Sequence, residues 1–154
     1  MMNTNFGENW DRRFLQMAGF VSTWSKDPST KCGAVVVNSH RRMIGAGYNG
    51  FPVNVADSAE RLNDRDLKMD MVVHAEPNAL MGVRLGEAHA LYVTRKPCAQ
   101  CASLIASHRI RYVVYCRHQE FEDRWSRSLK VTDMIFSESG TVLIGWKPEW
   151  LDGE

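Results

Sequence analysis

The sequence predicts an α/β fold in which helices cover both faces of a mixed central sheet. Three observations carry this. Apolar runs of strand length alternate with stretches whose apolar residues recur every three or four positions. The first two runs are separated by a single short turn, which makes an antiparallel hairpin and therefore a mixed sheet. The chain has 154 residues, 44% hydrophobic and 24% charged, the size and composition of a single domain spanning 1–154. No repeat, low-complexity tract or Pro/Gly-rich linker divides it.

Each element follows from a local pattern. Trp10, Phe14, Met17, Ala18, Val21 and Trp24 keep helical spacing, so about 8–24 is expected as an amphipathic helix. Asp27-Pro28 stops it by favouring a turn. Cys32–Val37 and Met43–Tyr48 read as strands joined by a turn over Asn38–Arg42. Residues 53–70 mix charges without clear periodicity and read as a solvated loop or short exposed helix. From His74 to Val83 a helix is expected, ending near Gly86; Ala90–Thr94 is a strand and Cys98–Ser107 a helix. Tyr112–Tyr115 is a strand and Glu122–Glu138 a helix with Trp125, Leu129, Met134 and Ile135 inward; Thr141–Ile144 is the last strand. Trp146 and Trp150 are expected to pack across a subunit boundary.

Lys+Arg 19 against Asp+Glu 18 leave a net charge of +1. That argues against a protein built to grip nucleic-acid backbones, so no nucleic-acid partner is expected, but one anionic pocket remains compatible. The first ten residues are polar with no apolar core after them, and no run approaches the roughly 20 apolar residues of a membrane span. A cytoplasmic location without a membrane partner is expected. In a reducing compartment the close pair Cys98 and Cys101 reads as metal-binding or catalytic rather than disulfide-bonded. Cys32 and Cys116 lie in strand patterns and read as small core residues.

Two segments carry the chemistry: His74-Ala75-Glu76, and Pro97-Cys98-Ala99-Gln100-Cys101. Cysteines three apart at a helix start project from one face, and Pro97 just ahead of it forgoes an N–H that would be unpaired anyway. The positive end of the helix dipole favours thiolate. Two thiolates and the His74 imidazole make three ligands for Zn²⁺ and leave a fourth position open, the mark of a catalytic site. His74 and Glu76, two apart, do not face the same way on an ideal helix, so they fit a distorted helix start. The pattern H-x-E followed by P-C-x-x-C is the known signature of zinc-dependent nucleobase deaminases, matched here residue by residue.

Over about residues 10–145 the chain resembles the deoxycytidylate (dCMP) deaminase family. The resemblance rests on Ser25-Lys26-Asp27-Pro28-Ser29-Thr30, Gly47-Tyr48-Asn49-Gly50-Phe51-Pro52, His74-Ala75-Glu76-Pro77-Asn78-Ala79, and Leu91-Tyr92-Val93-Thr94 leading to Pro97-Cys98. It implies a five-stranded sheet in a three-layer α/β/α sandwich of the cytidine deaminase-like type, and a homo-oligomer, often a hexamer. It implies hydrolysis of a cyclic amidine C–N bond: zinc hydroxide attacks cytosine C4, Glu76 shuttles the proton, and dCMP gives dUMP and ammonia. It further implies that Asn49 meets the sugar hydroxyl with Tyr48 and Phe51 flanking it. Ser25 and Lys26 become candidates for the 5′-phosphate, and Ala75 offers a backbone N–H to the base.

Departures from the family pattern are visible as well. Arg95-Lys96 stand before Pro97, where related chains more often carry an apolar residue followed by a small, aromatic or acidic one. They read either as added positive charge for a nucleotide or as a solvated strand end. The connection from Pro77 to Lys96 is short for the family, and Val53-Asn54-Val55 replaces the Gly-Cys that often follows the proline in chains regulated by dCTP and dTTP. Residues 53–73 contain neither Cys nor His, so one zinc per subunit is expected. The competing functions are a deaminase of another nucleoside, nucleotide or modified base, and a non-catalytic assembly module stabilised by zinc.

Overall fold

The computed structural model describes residues 6–152. Five strands form one sheet: β1 (Gly33–Val37), β2 (Met43–Tyr48), β3 (Ala90–Val93), β4 (Tyr112–Cys116) and β5 (Val142–Trp146), in the order β2-β1-β3-β4-β5. β1 runs antiparallel to β2 and β3, whereas β3, β4 and β5 are parallel. The sheet is therefore mixed, as the opening hairpin implies.

The three inner strands are buried along their whole length. Covered on both faces, such strands read as unbroken apolar runs rather than alternating ones. Val35, Val37, Ala90, Tyr92, Tyr112 and Val114 meet helix α1 (Glu8–Ser22) through Phe14, Leu15 and Ala18. The residues between them, Ala34, Val36, Leu91, Val93, Val113 and Tyr115, face a second core on the opposite side. Helices α4 (Ala75–Leu80), α5 (Ala99–Ser107) and α7 (Ser126–Ser139) contribute Ala79, Leu80, Ala102, Ile105 and Phe136 to it.

Glycines let α4 lie close on β2. A Cβ added at Gly47 would press on the Ala79 backbone N and lie 2.6 Å from the Asn78 carbonyl carbon. Backbone cannot swing aside as a side-chain tip can. Gly47→Ala is therefore expected to destabilise the fold by about 1–3 kcal/mol, read as a lowered denaturant midpoint at unchanged slope.

Residues 53–70, read as a solvated loop or short exposed helix, hold two short and mostly exposed helices, α2 (Ala59–Asn63) and α3 (Arg65–Met71), capped by the side chains of Ser58 and Asp64. Only Lys68 in them is buried, so apolar periodicity could not reveal them. The expected helix 122–138 is two: α6 (Gln119–Arg124) and α7, broken at Trp125, whose backbone leaves helical geometry. Trp146 and Trp150, expected at a subunit boundary, stack on each other at 4.5 Å within the chain. Trp150 is buried beside α1 through an unforeseen 3-10 turn, Pro148–Asp152, and Trp146 Nε1 donates to buried Asp11 at 3.0 Å. Among the described residues no helix is long and apolar enough to cross a membrane.

Candidate active site

Two helix starts meet beneath one cavity. Val73 pairs with Gly50 through reciprocal backbone hydrogen bonds of 2.8 and 3.1 Å, tying the segment before α4 to the end of β2. His74 is next, with extended backbone angles (φ −68°, ψ 164°), and caps α4 without being part of it. Glu76 is thus the second helical residue, and the i, i+2 spacing that defeats an ideal helix is resolved. Cys98 caps α5 in the same extended conformation (φ −70°, ψ 169°), and Cys101 lies in the first turn. Helix α7 clamps this start: Thr132 Oγ1 donates to Pro97 O at 2.8 Å, and Ser128 Oγ accepts from Ala99 N at 2.9 Å.

The ligand atoms of His74, Cys98 and Cys101 all lie within 4.8 Å of one another. His74 Nδ1 is 3.3 Å from Cys101 Sγ and 3.6 Å from Cys98 Sγ. Tetrahedral zinc, with about 2.3 Å to sulfur and about 2.0 Å to nitrogen, needs an N···S edge of about 3.5 Å. The donor set and its spacing therefore fit zinc. Without the ion, the hydrogen bond from Cys101, aided by His74, pulls the Cys98 thiol down to about 4. The same bond and burial push Cys101 up, so the two sulfurs share a proton that the ion would displace. The hydrogen bond to Cys98 raises the pKa of His74. Burial raises Glu76 to about 7, against the attraction of His74.

The cavity has a volume of about 240 Å³. His74, Ala75, Glu76 and Cys98 line it, together with Asn49 and Cys32. Asn49 is held on both sides of its amide: Oδ1 accepts from Cys32 N at 2.8 Å and Nδ2 donates to Thr30 O at 2.9 Å. The other substrate candidates lie elsewhere. Ser25 is buried behind the wall, where Oγ donates to Asn49 O at 2.8 Å. Lys26 is solvent-exposed and pairs with Asp57 at 3.1 Å. Tyr48 packs edge-on against Trp24 and, like Phe51, does not line the cavity. Cys116 is core, but Cys32 is on the cavity wall rather than purely in the core; burial raises its thiol to about 12 and keeps it neutral.

Residues from distant segments complete the wall: Arg65 and Lys68 on α3, Arg95 and Lys96 after β3, and Arg124 and Trp125 at the end of α6. Of these, only Arg95-Lys96 carried a signal, as a departure from the family pattern. Lys68 Nζ is buried against Asp27 Oδ1 at 3.2 Å and Ser29 Oγ at 3.3 Å, joining α3 to the loop before β1. Lys68→Met removes the counter-charge of buried Asp27 and leaves its Oδ1 only the Ser29 and Thr30 N–H donors. It is expected to cost about 3 kcal/mol, measured by denaturant unfolding, with much of the loss recovered when Asp27→Asn is added.

A family model described as the cytidine and deoxycytidylate deaminase zinc-binding region matches residues 8–117. An uncharacterised deaminase from the luxG 3′ region of Aliivibrio fischeri is 40% identical over 142 residues, covering 90% of this chain and 94% of that one. The deoxycytidylate deaminase of Homo sapiens is 36% identical over 151 residues, covering 91% and 81%. The cyanophage S-TIM5 dCMP deaminase, solved with dCMP and dUMP, superposes with a TM-score of 0.70 at 19% identity, covering 91% and 98%. That last likeness is one of fold.

Proposed function

The chain belongs to the cytidine and deoxycytidylate deaminase zinc-binding family, and from that premise we propose that it hydrolyses dCMP to dUMP and ammonia. One observation carries the reading: a buried carboxyl, Glu76, stands beside a three-ligand nitrogen and sulfur centre in a cavity that has more cations than acids on its wall.

His74, Cys98 and Cys101 would hold zinc, which would supply the Lewis acidity that makes water a nucleophile near neutral pH. As ligands, Cys98 and Cys101 are thiolates and offset the charge of the ion, which leaves removal of the water proton to Glu76. Its carboxylate takes that proton as oxygen adds to C4 of the cytosine and delivers it to ring N3; it then takes the remaining proton from the new C4 hydroxyl and passes it to the departing amine, leaving a C4 carbonyl and ammonia. A buried carboxyl beside the reacting atoms can serve both directions of transfer. Burial on the cavity floor keeps bulk water from competing for its proton. The Ala75 N–H, at the start of α4, would hold the base edge. Asn49 Nδ2, with one hydrogen committed to Thr30 O, keeps a second for the sugar hydroxyl. Ser25, Lys26, Tyr48 and Phe51 take no part in this reading.

The reading extends to a cytoplasmic homo-oligomer, a hexamer by family resemblance. Phe20, Trp24 and Tyr48 form a linked aromatic patch, 59%, 53% and 39% exposed, at the β2 edge of the sheet. Burial of such a patch in a subunit contact is favourable; sedimentation should show a species several times the 17.5 kDa chain mass. The function is tested by ammonia release over dCMP, CMP, deoxycytidine and their methylated analogues. dCMP is expected to give the highest kcat/KM. Absence of turnover with every cytosine nucleotide would overturn the reading in favour of a silent zinc module.

A further inference from the structure

We propose that Arg95 anchors the 5′-phosphate of the substrate, with Arg65 and Arg124 completing an anion subsite on the cavity wall. The inference rests on the reading of the site as a nucleotide deaminase and names what holds the anionic end.

Arg95 lies two residues past β3 and three before Cys98, so the same backbone segment positions it and a metal ligand. Thr94 fixes the strand end, its Oγ1 accepting from Gly33 N at 3.2 Å. Arg95 Nη1 donates to Thr94 O at 3.0 Å, whereas Nε is buried with no hydrogen-bond partner. A buried unpaired N–H is costly and demands an explanation. The Arg95 side chain lines the cavity, so this unpaired donor belongs to a residue of the cavity wall. With Nη1 engaged by Thr94 O, a phosphate that drew the guanidinium towards the cavity would pair Nε together with Nη2, the side-on fork that matches two of its oxygens.

Charge accounting points the same way. Lys68 is taken by Asp27 and Lys96 by Asp133, at 3.2 and 2.7 Å. Arg65, Arg95 and Arg124 have no ion-pair partner among the described residues. The acids on the wall are Asp27, already paired, and Glu76. Lys26, the cation expected from the sequence, is outside the cavity and bound to Asp57. What the wall offers a dianion is arginine, and only Arg95 presents a buried, unsatisfied donor.

The test compares dUMP with deoxyuridine, two ligands that differ only in the phosphate, by calorimetric titration of the zinc-loaded protein with metal content measured in parallel. The wild-type chain should prefer dUMP. Arg95→Gln should reduce the dUMP to deoxyuridine affinity ratio by about 10- to 100-fold, the loss expected for a charge-assisted hydrogen bond. Arg95→Lys, which keeps the aliphatic stem and charge but not the fork, should show a smaller reduction and carries the test if the Gln variant does not fold. A disturbed metal site would weaken both ligands and leave the ratio unmoved. A ratio within twofold of wild type in both variants overturns the Arg95 assignment while leaving the deaminase reading intact. A wild-type chain that neither turns over dCMP nor prefers dUMP overturns the reading itself.

Discussion

Glu76→Gln is expected to lower dCMP turnover by about 10²- to 10⁴-fold while zinc stays at one ion per chain. The substitution preserves the shape of a side chain only 6% exposed and removes its ability to take and return a proton. His74, Cys98 and Cys101 are untouched, so the metal should be retained and thermal stability should stay close to wild type. Dissociation of dUMP should change far less than kcat, since the loss falls on the transition state. Activity within tenfold of wild type would show that some other group moves the proton.

Removing a sulfur ligand should have the larger effect. Cys101→Ser replaces a soft thiolate with a hydroxyl that zinc binds weakly, leaving two of the three protein ligands. Metal analysis should show less than one zinc per chain, and turnover should fall to the level of chelated wild-type protein. The site also holds together the starts of α4 and α5, so zinc that binds only the folded chain should stabilise it. At a free concentration 100 times the dissociation constant that amounts to about 2.7 kcal/mol. Chelation should lower the wild-type Tm, zinc but not magnesium should restore it, and Cys101→Ser should respond to neither. A variant that keeps stoichiometric zinc and a wild-type Tm would remove Cys101 from the ligand set.

What the sequence could disclose follows from how far each signal reaches along the chain. β1, β3 and β4 were legible because burial on both faces makes them unbroken apolar runs. The cysteine pair was legible because two ligands one helical turn apart leave a local pattern. α2 and α3 left none, since what holds α3 is one buried lysine reaching Asp27 far back in the chain. The break at Trp125 was hidden because apolar spacing continues through it into α7. The position of His74 could be anticipated as a distorted helix start, but its identity as the capping residue needed backbone angles.

The cavity wall was the least legible part. Lys26 lies close in sequence to Asp27 and Thr30, which do line the cavity, yet it turns outward to Asp57. Arg65 and Arg124 reach the same wall from helices on either side of the metal segments in sequence. Cys32 precedes β1 by one residue, so the apolar run that marked it as core ends just where the cavity begins. Arg95-Lys96 stood out in sequence, but its two readings separate only in three dimensions. Lys96 is paired with Asp133, and Arg95 holds a buried donor without a partner.

The central claim is hydrolysis at cytosine C4 by a zinc-loaded site with Glu76 as its proton carrier. Its most direct test is the mass of the nucleotide product after dCMP is incubated with the zinc-loaded protein in ¹⁸O-water. The expected result is dUMP carrying one ¹⁸O in the base, with one ammonia released per dUMP. Recovery of unaltered dCMP from protein that holds one zinc per chain would contradict the account.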